Sequence, residues 1–371
     1  MSRRLYRAAF LCATVVAASE VRAEKPYVAA DFARVKKVDA HVHANTDDHV
    51  FLDVAAKDGF EVVSINVDYP DFPTLEQQAT VAHKLLAAAP RRFHFATTFS
   101  MKGFGEVGWT VGTVRHIDSE IQRGAVAVKV WKNIGMVERD RQGGLIMLDD
   151  PQFDGVIRHL EQRGIPLIAH QAEPKNCWLP LEAMTTDNDR SYFRDHPEYH
   201  MYLHPDQPSY ELLIAARDRF VARHPKLKFI GAHLGSLEWS VDELATFLDT
   251  YQNTTVDLSA RMTQVQYQSN TDYEKVRRFF IKYQDRLMYG SDLTESPADA
   301  TTRAQNPPTN EAEFAIEADA FWRSDWMYLA TSGTQRVDAI NSTVRGLALP
   351  RRVIAKIYFT NARRVFALNP K

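Results

Sequence analysis

The chain is expected to fold as an α/β protein, a (β/α)8 TIM barrel with long loops after its fifth and eighth strands. Three observations carry this expectation. Short β-branched runs recur from residue 35 onward, most are followed by apolar residues at helical spacing, and polar side chains stand where the runs end. The eight runs cover residues 35–42, 61–67, 93–99, 125–131, 166–170, 228–233, 255–260 and 287–289. Helices are expected over 74–89, 114–123, 153–163, 210–223, 241–250 and 273–283, with Gly124 and Gly164 following two of them as left-handed caps. A final helix over 351–366 should pack on the outside of the barrel.

Periodicity alone does not separate a closed barrel from an open doubly wound sheet. The strand ends do. An open nucleotide-binding sheet favours a glycine-rich turn after its first strand, whereas Ala44, Asn45 and Thr46 follow here. A barrel instead gathers its chemistry at the C-terminal ends of several strands, where this sequence has His41, His43, Lys129, His170, His233, Arg261 and Asp292. Two connections exceed ordinary loop length, at 171–208 and 293–350, and both leave from that end. The second contains an amphipathic helix over 311–329.

The ends of the chain and its charge narrow the function classes. Residues 1–23 read as a secretory signal, with Arg3, Arg4 and Arg7 before an apolar stretch and Val21, Arg22 and Ala23 at the cleavage site. Residues 24–371 then form a single secreted or periplasmic domain. Removing Arg3, Arg4, Arg7 and Arg22 from 45 basic side chains, and Glu20 from 47 acidic ones, leaves 41 and 46, a net charge of −5. No basic stripe suited to nucleic acid remains, and no apolar run long enough to span a membrane follows the signal. Cys177 is the one cysteine outside the signal, so stability must come from the core rather than an internal disulfide. A small molecule is the expected partner, and a homo-oligomer is compatible with the chain.

Strand alternation sets Asp39, His41 and His43 on one face, opposite Val38, Ala40 and Val42. Two imidazoles two residues apart can converge on one ion, although histidine pairs at strand ends are common without one. Position strengthens the reading, because His170 and His233 close the fifth and sixth strands and Asp292 the eighth. A divalent ion held by neutral imidazoles lowers the pKa of bound water to about 7, and a carboxylate beside it can accept the proton. Asp292 suits that base. His233 suits oxyanion stabilisation or proton transfer, its alternative being a satisfied core histidine.

Five motifs stand in order along the chain. They are Asp39-Ala40-His41-Val42-His43, Ala169-His170, Gly231-Ala232-His233-Leu234-Gly235, Tyr289-Gly290-Ser291-Asp292, and the final segment Ile357-Tyr358-Phe359-Thr360-Asn361-Ala362-Arg363-Arg364-Val365-Phe366. In them the chain resembles the amidohydrolase superfamily, specifically its amidohydrolase-2 branch of metal-dependent hydrolases and non-oxidative decarboxylases. The resemblance implies that His41, His43, His170 and Asp292 bind one divalent ion, usually zinc, and that His233 acts in catalysis. In two-metal members a carboxylated lysine at the end of the fourth strand bridges the ions, which would give Lys129 that role and make His170 and His233 ligands of the second. One ion is the favoured count.

Lys129 shares its strand face with Ala127 and Trp131, and Arg261 with Asp257 and Ser259. Two inward cations favour a carboxylate-bearing substrate, unless Arg261 pairs with Asp257 or Glu173. Trp131 and Trp178 are candidates to stack on the substrate, or else pack the lid. Glu173 and Glu238 are candidates to orient the histidines. The leading expectation is hydrolysis of an ester, lactone or amide by metal-activated water. The alternative is non-oxidative decarboxylation of a hydroxylated acid. A non-catalytic binding barrel is the third reading, and retention of all five strand-end groups speaks against it.

Overall fold

The computed structural model describes residues 25–69, 72–296 and 310–368, so the expected signal lies outside the described residues. Its main sheet has nine strands, all paired in parallel. They are β1 (Lys37–Ala44), β2 (Phe60–Ile65), β3 (Phe93–Thr98), β4 (Ala127–Val130), β5 (Leu167–Ala169), β6 (Phe229–Gly231), β7 (Thr254–Asp257), β8 (Leu287–Met288) and β9 (Thr294–Glu295). Sequence neighbours pair from β1 through β8, and β9 pairs with the end of β1. The ring closes where Ala40 N donates to the Tyr289 carbonyl at 2.9 Å and Asp292 N to the His41 carbonyl at 2.8 Å. The fold is therefore the expected (β/α)8 barrel, with its eighth staff broken into β8 and β9 and Asp292 in the break.

Period-two alternation divides the apolar residues between two layers. Phe93, Phe95, Val128, Leu167, Phe229 and Leu287 face the surrounding helices, while Ala96, Ala127, Ile168, Ile230 and Met288 fill the barrel. The helices Tyr210–Arg223 and Val241–Thr250 have the expected bounds, and Gly164 caps Asp154–Arg163 at φ 63°. The last helix departs from expectation. It is interrupted by a π-helical turn at Lys356–Thr360, whose Ile357 carbonyl accepts from Tyr289 N at 2.9 Å. Beyond that turn, Ala362, Val365, Phe366 and Leu368 join the inner apolar cluster, so the C-terminus closes the bottom of the barrel rather than lying outside it.

Both long loops are built segments. The one after β5 carries 3-10 turns and the helix Asp187–Asp195; the one after β8 carries β9, the helix Glu311–Ala330 and an antiparallel hairpin of β10 (Thr334–Val337) and β11 (Ser342–Arg345).

Candidate metal centre

In β1 the simple alternation fails at one step. Asp39 pairs with Val62 but Val42 with Ser64, so β1 spends one residue more than β2 over that interval. The bulge re-aims the strand. Val38 and Ala40 join the barrel interior, and Asp39 turns outward to accept Trp322 Nε1 at 2.8 Å. Asp39 therefore does not share a face with His41 and His43. It supports them from behind, accepting His41 N at 3.2 Å and Ser291 N at 3.0 Å. Burial pushes its carboxyl up to about 7.

His41, His43 and Asp292 converge, with one ligand atom from each lying within 4.8 Å of the others. Asp292 Oδ1 is 3.3 Å from His41 Nε2 and 3.4 Å from His43 Nε2. The opposite ring nitrogens are engaged: His41 Nδ1 is 3.0 Å from Asp257 Oδ2, and His43 Nδ1 is 2.7 Å from the Ile65 carbonyl. Such partners fix the tautomer and aim Nε2 at an ion. His41 Nε2 is buried without a hydrogen-bond partner, as a nitrogen meant for a metal would be. Burial, and then the charge of Lys129, lowers the pKa of His41, which keeps its imidazole neutral and ready to ligate. The residues present fit a divalent ion.

Backbone shape brings Asp292 to this point. Gly290 packs so closely that a Cβ there would lie 3.0 Å from His41 Cβ and 3.2 Å from Ser259 Cβ. Asp292 then adopts φ 71°, a left-handed conformation rare outside glycine, which turns its carboxylate back across the mouth. Burial pushes that carboxyl up, but His233, His43 and His41 pull it down further, so it stays well below the ordinary carboxylate range.

His233 sits on a second unusual backbone. His233, Leu234, Gly235 and Ser236 all have positive φ, from 56° to 63°. A left-handed turn costs L-residues about 1–2 kcal/mol each, so the surroundings must hold it. They do so with hydrogen bonds: His233 N donates to Asp257 Oδ1 at 2.8 Å, Arg217 donates to the Gly235 carbonyl, and Tyr210 OH to the Ser236 carbonyl. The His233 ring lies 4.8 Å from that of His41 and 4.1 Å from that of His170, with Nδ1 3.0 Å from Ser259 Oγ. His170 stands outside the three-residue cluster, its Nε2 3.2 Å from the Ala172 carbonyl. Burial lowers both pKa values far below the ordinary histidine range; for His170 the neighbouring His233 adds to this.

Among the described residues the two inward cations form no ion pair, although Arg261 Nη1 donates to the Ala260 carbonyl at 3.0 Å. Lys129 Nζ and Arg261 Nε are buried without hydrogen-bond partners. Burial lowers Lys129 to about 8, against the pull of Asp257 and Asp292. Among the described residues Arg261 forms no ion pair with Asp257 or Glu173: Asp257 holds His41, and Glu173 pairs with Lys132. Glu238 likewise binds no histidine, accepting instead from Lys175 N at 2.8 Å. Trp131 meets His170 edge-on at 6.1 Å and lines a cavity of about 310 Å³ with Tyr69, Lys132 and Glu173. Trp178 packs inside the β5 loop, donating to the Pro208 carbonyl at 3.1 Å. A second cavity of about 440 Å³ opens on Asp292, Ser291 and Ala260 beneath Phe321.

Sequence reasoning missed Asp257 and Ser259 as the residues that orient His41 and His233. Their place at the end of the seventh strand was visible; that Asp257 faces His41 across the barrel was not.

Among solved structures the chain resembles 2,6-dihydroxybenzoate decarboxylase from Rhizobium, with 15% identity, a TM-score of 0.51, and coverage of 90% of this chain and 99% of that one. The same enzyme complexed with 2,6-dihydroxybenzoate gives 15% identity and 0.50 over the same shares. A protein described as amidohydrolase II gives 16% and 0.51, over 90% of this chain and all of the other. These likenesses concern the fold. No curated protein matches the chain. The amidohydrolase family model matches residues 10–368, nearly the whole sequence and every strand of the barrel, and the chain belongs to that amidohydrolase family.

Proposed function

We propose that the chain is a metal-dependent hydrolase acting on an ester, lactone or amide in a small carboxylate-bearing substrate. The observation that carries this reading is the convergence of His41 Nε2, His43 Nε2 and the Asp292 carboxylate, with Asp292 alone of the three lining the 440 Å³ cavity. Water can therefore reach the carboxylate. His41, His43 and Asp292 would hold one divalent ion, zinc being the choice that imidazole and carboxylate donors favour. His170 would add a fourth donor through Nδ1, since its Nε2 is held by Ala172. Bound there, a divalent ion supplies Lewis acidity and makes water acidic enough to ionise near neutral pH.

The chain's own groups supply the rest. Asp292, held ionised by the surrounding histidines, accepts the proton of the attacking water at its carboxylate. His233, oriented through Nδ1 by the Ser259 carbonyl and hydroxyl, presents an unprotonated Nε2 that takes the proton collected by Asp292 and relays it to the leaving group. Lys129 and Arg261 bind the substrate carboxylate through Nζ and Nε, which have no hydrogen-bond partner among the described residues. Trp131 walls the substrate on the β4 side. Export by the N-terminal segment is part of the proposal.

One observation favours a second reading. The aromatic wall of Trp131 and Tyr69, with ring centroids 4.1 Å apart, beside the buried cations Lys129 and Arg261 suits a hydroxylated aromatic acid undergoing non-oxidative decarboxylation. The fold's likeness to a 2,6-dihydroxybenzoate decarboxylase is in keeping with it. A screen of carboxylate-bearing lactones, esters and amides against hydroxybenzoic acids decides between them. Turnover of the first group supports the proposal, and carbon dioxide release from the second without any hydrolysis overturns it.

A further inference from the structure

On the rim, where β9 runs beside the end of β1, stands a group of oxygens that the reaction does not use. Glu295 ends β9 and is 1% exposed, yet among the described residues no backbone N–H or basic side chain donates to either of its carboxylate oxygens. A carboxylate buried without such a donor either takes up a proton or faces a cation. Its neighbours are also oxygens. Asp48 and Thr46 lie against the Glu295 carboxyl, and Glu311 adds negative charge from the start of its helix. Thr46 Oγ1 donates to Asp48 Oδ2 at 2.6 Å, while Asp48 Oδ1 accepts from Val50 N at 3.1 Å. Among the described residues no lysine or arginine pairs with Glu295 or Asp48.

The backbone enforces this meeting of like charges. Ala44 is in register with Glu295, and Asn45 N donates to the Glu295 carbonyl at 3.0 Å, so the carboxyl cannot leave without unzipping the end of the sheet. Burial, and then Asp48, pushes the Glu295 carboxyl up to about 8. Something positive is needed to hold two carboxylates there in ionised form.

We propose that Glu295, Asp48 and Thr46 form a second cation site, separate from the metal centre, that takes a hard divalent ion of the calcium class. The donors are all oxygen, with no imidazole or thiolate, which selects calcium or magnesium over zinc. Glu295 can bind in bidentate fashion, and an irregular carboxylate and hydroxyl set suits calcium better than octahedral magnesium. The ion would tie the loop after β1 to β9. These segments begin three residues beyond His43 and two beyond Asp292, so the site would clamp together the two strand ends that carry the metal ligands.

The test is calcium titration of the purified full chain by calorimetry in calcium-free buffer, with elemental analysis of calcium and transition metal on the same sample. The expected result is one calcium per chain and a rise in Tm of about 3 °C or more at saturation. Glu295→Gln and Asp48→Asn should each weaken calcium binding about tenfold or more, through loss of a charged ligand, without changing the transition-metal count. Asp48 is only half-buried, so its variant decides the matter if Glu295→Gln does not fold. No calcium uptake by the wild type, or uptake unchanged in both variants, overturns the proposal. A gain in Tm for Glu295→Gln with no calcium bound by the wild type would identify a carboxyl pair sharing a proton instead.

Discussion

On one side of the barrel mouth, His41, His43 and Asp292 converge with the outer nitrogens of both imidazoles already engaged by Asp257 and the Ile65 carbonyl. On the other, Lys129 and Arg261 stand buried and, among the described residues, without an ion pair beside His170 and His233, whose pKa values are driven far down. The first half is a finished electrostatic unit apart from one central cation. The second has cations with no ion-pair partner among the described residues. Stored strain divides the same way: a single left-handed residue places Asp292, whereas His233 needs a run of four. On the proposed reading a metal centre is thus set against a substrate cradle, and His233, with its ring 4.8 Å from that of His41 and 4.1 Å from that of His170, is the hinge of the two.

The largest expected effect breaks the metal half at its base. Asp292→Asn keeps size and one oxygen donor but loses the charge and the proton acceptor, so kcat should fall about 10²- to 10⁴-fold while metal content falls only modestly. A metal-loaded variant turning over at near wild-type rate would make Asp292 structural. His233→Ala comes next. Under the one-ion reading it keeps its metal and loses roughly 10²-fold or more in kcat, measured by steady-state kinetics with elemental analysis. Loss of about half the metal would instead signal a second ion bound by His170 and His233.

The cradle half should answer differently. Lys129→Arg keeps a charge but cannot be carboxylated, so normal metal content with a raised KM is expected, and loss of metal would assign Lys129 as a bridge between two ions. The smallest effect concerns the strained turn. Arg217→Met leaves the Gly235 carbonyl without its donor, for a loss of about 1–3 kcal/mol in stability by urea unfolding, with kcat falling as His233 loses its aim. Unchanged stability would show that the turn is held by Asp257 and Tyr210 alone.

The barrel was legible because its signals are local. Eight β-branched runs, glycine caps and polar strand ends can each be read within a few residues, and Tyr210–Arg223 and Val241–Thr250 emerged with the expected bounds. The three-residue cluster was legible for the same reason, since His41, His43 and Asp292 each close a strand. What escaped depends on geometry between distant segments. The bulge that turns Asp39 onto Trp322 has no marker in Asp39-Ala40-His41, because it is imposed by pairing with β2. Ala260 at φ 55° lies beyond the end of β7, so Arg261 reaches the mouth from a loop rather than from the strand face that was read. For Trp178 both readings, substrate stacking and lid packing, were open because aromatic residues in a long loop serve packing and binding equally well, and its contacts here are with the loop.

The account stands on the claim that the metal is held from the β1 and β9 side. Counting transition metal per chain by elemental analysis in wild type, His41→Ala, His170→Ala and His233→Ala tests it most directly. The account predicts about one ion in the wild type, most of it lost in His41→Ala, a lesser loss in His170→Ala, and retention in His233→Ala. Full metal occupancy in His41→Ala would contradict it.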